Sequence, residues 1–284
     1  MVTRTRQIRL VALNIDGVLL NDTFSPVIHG FLTRRGATYT ADVERRIFSQ
    51  PRHIAAREIA AVLGLELGPG RGGGQCPASG SDSGAGSVSG SGSPSGSSSG
   101  PGAGTPTGPR TGTILSPGSS PDDVLAAYFE ERAEFLDAHP VRVTPGAIEL
   151  VRRARALGLE TVCYGGLEKG HFDRFLGEFA GLFDGPGYIC TDAFRPGIHE
   201  IATEFFGLEH DQVLVVDDVA RVAEAAKSLN MPFIGHPSSF EHSFQRQLMR
   251  EVGTRHIVGS LDAIDDRLLR TLDEEAAAGT VWRD

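Results

Sequence analysis

The chain reads as an α/β protein, a mostly parallel sheet core carrying a helical insertion, and three observations predict it. Residues 9–20 begin with a continuous apolar run that ends in Asn14, Asp16 and Gly17. Such a run is the pattern of a strand buried on both faces, with its carboxyl end meeting solvent. From residue 141 onward short apolar runs alternate with amphipathic stretches, which argues for parallel strands joined by helices on both faces. Residues 22–140 lack that alternation and read as helical around a Gly-, Ser- and Pro-rich stretch at 68–120.

In chain order, 41–66 is expected to be helical, with Val43, Ile47, Ile54, Ile59, Val62 and Leu63 supplying the apolar positions. Residues 68–120 hold too few large apolar side chains to offset the entropy of ordering, so disorder is expected. Loop-closure entropy grows only logarithmically with length, so the fold tolerates such an insertion. Ser120-Pro121-Asp122-Asp123 is a helix start: a capping hydroxyl, a proline at the first position, then acids at the positive end of the dipole. Val124, Leu125, Tyr128, Phe129, Phe135 and Leu136 continue it as an apolar stripe. Helices are then expected at 146–157, 169–176, 198–206, 220–229, 240–251 and 262–278. Strands are expected at 159–164, 187–190, 213–216, 232–235 and 256–258. Ser238-Ser239 reads as the cap of the helix at 240. The division is 1–21 with 141–284 as core and 22–140 as a helical cap.

The chain has 284 residues, a formal charge of −9, 40% hydrophobic and 22% charged residues. This composition is that of a globular domain. The acidic balance argues against nucleic acid or an anionic membrane as a partner. The three cysteines, Cys76, Cys163 and Cys190, have neither paired nor metal-ligand spacing, which suggests a reducing compartment. No signal-type segment opens the chain, and no apolar stretch approaches the roughly 20 residues of a spanning helix. A cytoplasmic location is the expectation.

Asn14-Ile-Asp16-Gly17-Val18 resembles the first motif of the haloacid dehalogenase (HAD) superfamily, Asp-x-Asp-Gly-(Val/Thr), with Asn14 at the nucleophile position. Three further segments follow that pattern in order. Val143-Thr-Pro-Gly146 with its helix and strand resembles the approach to the second motif, whose Ser or Thr is replaced by Gly165-Gly166. Arg195-Pro196-Gly197 resembles the Lys-Pro motif, and Val213-Leu-Val-Val-Asp217-Asp218 the acidic fourth motif. The resemblance covers 8–24 and about 140–260, and implies a Rossmann-like core with a cap that selects substrate. It also implies Mg²⁺ held by Asn14, Asp16, Asp217 and Asp218. Asp16 would give the ion its main-chain carbonyl and use its side chain for proton transfer.

The residues themselves agree with that chemistry. Phosphoryl transfer is mostly positioning and stabilisation of negative charge. Asp16 and Asp217, at the tips of buried strands, would face each other, and a hard cation relieves the repulsion between close carboxylates. Asp217-Asp218 also suits the cap of the next helix. Gly165 and Gly166 suit either an anion cradle of backbone N–H groups or a plain tight turn. The planar fork of Arg195 suits a phosphate, and an exposed arginine at a helix start is the plainer alternative.

Asn14 is the departure. An amide is a poor nucleophile, so a covalent aspartyl-phosphate is not expected. Loss of a nucleophile costs up to about 10⁶ in turnover in other covalent mechanisms. Direct attack by water, with Asp16 as general base, is the route that survives. Two functions follow. One is a Mg²⁺-dependent phosphatase-type hydrolase of weak or altered activity on a small phosphorylated metabolite. The other is an inactive HAD-like protein that binds a phosphorylated ligand or a protein partner.

Overall fold

A computed structural model of the chain describes residues 7–66 and 115–283. The predicted disorder of 68–114 lies outside the described residues, as does Cys76. Residues 115–120, the upper end of that stretch, are described. The Gly118 N–H donates to the Glu66 carbonyl at 2.8 Å, so the two ends of the insertion meet.

The sheet has five strands in the order β3-β2-β1-β4-β5: β1 Leu10–Asn14, β2 Glu160–Gly165, β3 Tyr188–Cys190, β4 Val213–Asp217 and β5 Phe233–Gly235. Every pairing is parallel, with Leu13 level with Cys163 on one side and with Val216 on the other. All five residues of β1 and of β4 are buried, the property that made them legible as continuous apolar runs. Alternate residues of β1 feed two cores. Val11 and Leu13 pack with α5 (Ala147–Ala156), α6 (Lys169–Leu176) and α10 (Asp266–Ala278). Leu10 and Ala12 face the other way, toward α7 (Ile198–Glu200), α8 (Ala220–Ser228) and α9 (Gln245–Val252). The fold is therefore a Rossmann-like α/β core.

Among the described residues, four helices are inserted between β1 and α5: α1 Ser25–Arg34, α2 Ala41–Ile47, α3 Arg52–Val62 and α4 Pro121–Ala138. Their apolar faces, with Phe31, Ile59 and Val124 fully or almost fully buried, join the same cluster as α8 and α9. The start of α4 is the predicted one. Ser120 Oγ accepts from the Asp123 N–H at 3.2 Å, and the Asp123 carboxylate accepts from the Ser120 N–H at 2.7 Å.

Several boundaries differ. The helix expected over 41–66 breaks at 48–51, where Ser49 takes a positive φ of 53° and Pro51 excludes Gln50 from helical geometry. The helix expected from 240 starts at Gln245. Ser238 Oγ accepts from the Phe240 N–H in a local turn, and the N–H of Phe244 goes to Glu44 instead. The segment 256–258 makes only one bridge, Ile257 with Gly235, because β5 ends there. Only the first turn of 198–206 is α-helical, the rest being a π turn. The helix expected from 262 begins at Asp266, after a 3₁₀ turn. Among the described residues, no helix is long and apolar enough to cross a membrane.

Candidate functional site

The carboxyl edge of the sheet carries the predicted residues, because β1, β2 and β4 all end there. Asn14 is the last residue of β1 and is buried; its Nδ2 donates to Asp218 Oδ1 at 2.9 Å. Gly17 turns the chain away with φ 89°, and a Cβ there would lie 2.2 Å from Asp218 Oδ2. No side chain but hydrogen fits against that carboxylate. Asp217, 1% exposed, ends β4. Its Oδ1 accepts from the Val219 N–H at 2.8 Å, and its Oδ2 accepts from the Tyr164 hydroxyl.

Burial pushes the Asp217 carboxyl up to about 6, against the hydrogen bonds that favour its charged form. Burial, followed by the charge of Asp217, holds Asp218 well above the ordinary range. Two adjacent buried carboxylates are the kind of group that gains from a cation. The candidate donors are all oxygens, as a hard divalent ion such as Mg²⁺ prefers. In donor chemistry these residues suit such an ion, with one charge fewer because Asn14 is neutral. Among the described residues, no three His, Cys, Asp or Glu side chains converge as a metal cluster.

The remaining candidates divide. Gly165 is held by packing, since a Cβ there would lie 2.4 Å from Ile15 Cγ2; its carbonyl accepts from the Thr191 N–H at 2.8 Å. Gly166 lies between two arginines. Its carbonyl accepts from Arg52 Nη2 at 2.8 Å, and a Cβ there would touch Arg195 Nη2 at 2.9 Å. Arg52 is neutralised by Asp192 at 3.3 Å. Arg195 Nε is buried without a hydrogen-bond partner, and among the described residues no ion pair engages that guanidinium.

Asn14, Asp16, Gly166, Arg195 and Asp218 line one partly open cavity of about 150 Å³, flanked by α1, the α2–α3 connection and α4. Gly165 and Asp217 lie outside its wall.

Three contributors were not legible in the sequence. His171, on α6, places Nε2 2.9 Å from Asp16 Oδ1. Tyr164 sits inside an apolar strand and reads as core, yet it caps Asp217. Arg52 falls in the stretch 41–66, where the sequence singles out only the apolar positions. For none of them does spacing supply a signal, because each partner is brought in by the fold.

No protein-family model matches the chain, and no curated protein matches it. Solved structures do. A β-phosphoglucomutase from Clostridium difficile superposes with a TM-score of 0.57 at 10% identity, covering 95% of this chain and 99% of that one. A HAD hydrolase of family IA from Entamoeba histolytica gives 0.56 at 13% identity, covering 94% and 100%. A HAD family hydrolase from Deinococcus radiodurans R1, with bound phosphate and sodium, gives 0.52 at 14% identity, covering 94% and 97%. The fold is thus the HAD-like one, a Rossmann-like core with a helical insertion.

Proposed function

We propose that the chain is a HAD-like hydrolase of the phosphatase type, acting weakly on a small phosphorylated molecule with Mg²⁺ as cofactor. The observation that carries this reading is Arg195, whose buried Nε lacks a hydrogen-bond partner and whose guanidinium acts on the Asp217 carboxylate without forming an ion pair among the described residues, in the same cavity as Asp16, Asn14 and Asp218. A phosphoryl group set on its planar fork would make the charge-assisted pairs that the arginine lacks. Glycine at 166 lets the main chain approach the same anion.

Asp217, Asp218, the main-chain carbonyl of Asp16 and Asn14 Oδ1 would hold Mg²⁺. That ion, when bound, supplies positive charge against the phosphoryl oxygens. Asn14 closes the covalent route, since its amide has no charge to attack phosphorus and its Nδ2 is turned to Asp218. Asp16 is the proton acceptor for an attacking water, oriented by the imidazole of His171.

Residues 22–140 act as the cap and 1–21 with 141–284 as the core. The two crossings lie side by side, because the Asn21 N–H donates to the Arg142 carbonyl at 3.0 Å and the Arg142 N–H to Asn21 Oδ1 at 2.6 Å.

The Asn14–Asp218 hydrogen bond favours a second reading, a protein that binds a phosphorylated ligand, or a protein partner, without turnover. A panel of phosphomonoesters assayed with Mg²⁺ separates the two. Wild-type turnover that disappears in Asp16→Ala supports the hydrolase. Phosphate binding without turnover, lost in Arg195→Ala, supports the binding protein. Absence of both from the wild type, and from Asn14→Asp, overturns the phosphate site altogether.

A further inference from the structure

The cap side of the cavity, apart from Ser49, Gln50 and Arg52, is unlike its floor. Phe24, Ile28, Ile47, Phe48, Leu125 and Phe129 make it apolar, from α1 and the residue before it, α2 and the residue after it, and α4. The cavity is partly open and measures about 150 Å³ in all, so beside a phosphoryl group at Arg195 it takes an apolar body no larger than about a benzene ring. The open polyol of a sugar phosphate would lose its water against this wall with few groups to replace it.

Two polar atoms of lining residues lie buried just beneath the apolar surface, and both lack partners. The hydroxyl of Tyr128, whose side chain is 4% exposed, has no hydrogen-bond partner. Neither has Asp22 Oδ2, although Asp22 Oδ1 accepts from the N–H groups of Phe24 at 2.8 Å and Ser25 at 3.0 Å. Burial pushes the Tyr128 phenol up, the Arg132 charge pulls it down and the Asp22 charge pushes it up, so both charged groups lie near the hydroxyl. An orphaned buried hydroxyl is costly, and one ligand group that both donates and accepts would satisfy the pair.

We infer that the ligand is an amphipathic phosphomonoester. Its phosphoryl group lies toward Arg195, an apolar body of about benzene size fills the space under α1 and α4, and a hydroxyl on that body bonds Asp22 and Tyr128. This rests on the phosphate site proposed above and deepens it to a substrate class.

Calorimetric titration in Mg²⁺ buffer tests it with inorganic phosphate, glycerol 3-phosphate, phenyl phosphate and 3- and 4-hydroxyphenyl phosphate. Burying a ring against the apolar wall should make phenyl phosphate bind about tenfold more tightly than glycerol 3-phosphate. One of the hydroxyphenyl esters should gain a further factor of about 3–10. Tyr128→Phe, which keeps the ring, should abolish that second gain and leave the affinity for phenyl phosphate unchanged. Equal or tighter binding of glycerol 3-phosphate, with inorganic phosphate still bound, overturns the substrate class and leaves the phosphate site standing. A hydroxyl preference that survives in Tyr128→Phe overturns the polar contact. If no phosphate binds, the site reading fails and this inference with it.

Discussion

Replacing Asn14 by Asp puts a carboxylate where an amide now donates to Asp218 across 2.9 Å. The hydrogen bond becomes a contact between like charges. At that separation, with an effective permittivity of about 20, their repulsion is on the order of 6 kcal/mol. Rotation of the new side chain and partial protonation of the pair relieve part of it, leaving a deficit of about 2–4 kcal/mol. For a domain of this size that is roughly 5–15 °C in Tm. Thermal melts of Asn14→Asp in a chelator at pH 8 should show this loss. At pH 5 the deficit should shrink, because the folded state holds a shared proton there. Millimolar Mg²⁺ should restore most of the stability at pH 8, since the ion binds the folded state with one more anionic ligand. A variant as stable as wild type in chelator at pH 8 would refute the Asn14–Asp218 contact. Failure of Mg²⁺ to stabilise either protein would refute the cation site.

Three other outcomes are expected. Gly17→Ala combines a positive φ with a Cβ placed 2.2 Å from Asp218 Oδ2, and should cost about 3 kcal/mol or more in urea unfolding. Glu44 is fully buried, accepts from Ser243 Oγ at 3.0 Å and the Phe244 N–H at 2.9 Å, and is pushed above its ordinary 4.5 by burial. A raised carboxyl contributes stability below its unfolded value that is lost as pH rises through the folded one. Glu44→Gln should therefore cost about 1–3 kcal/mol near pH 4.5 and less at pH 8, flattening stability against pH; an unchanged slope counts against this burial. Replacing 70–112 by a short Gly-Ser linker should leave Tm unchanged or raise stability by up to about 2 kcal/mol, because Glu66 and Gly118 already touch. A clear fall in Tm would show that the removed segment packs on the fold.

The HAD-like fold was legible because its signals are local. A strand buried on both faces must be apolar throughout, so β1 and β4 stand out in the sequence. The start of α4 was legible for the same reason, since the Ser120 and Asp123 hydrogen bonds span three residues. The break at 48–51 was missed because apolar spacing on both sides continues one pattern, and only the positive φ at Ser49 and the ring of Pro51 interrupt it. The start of α9 was missed because the N–H of Phe244, the residue that precedes the helix, is held by Glu44, 200 residues away.

The residue types at the sheet edge, an amide at 14 with acids at 16, 217 and 218, were determined by the sequence alone. What those groups do to one another was decided by tertiary structure. Tyr164 reaches Asp217 across 53 positions and His171 reaches Asp16 across 155. The apolar wall and the orphaned Tyr128 hydroxyl exist only once α1 and α4 flank the strand ends. Side-chain chemistry is written residue by residue, whereas desolvation and hydrogen-bond partnership depend on distances that only the folded chain sets.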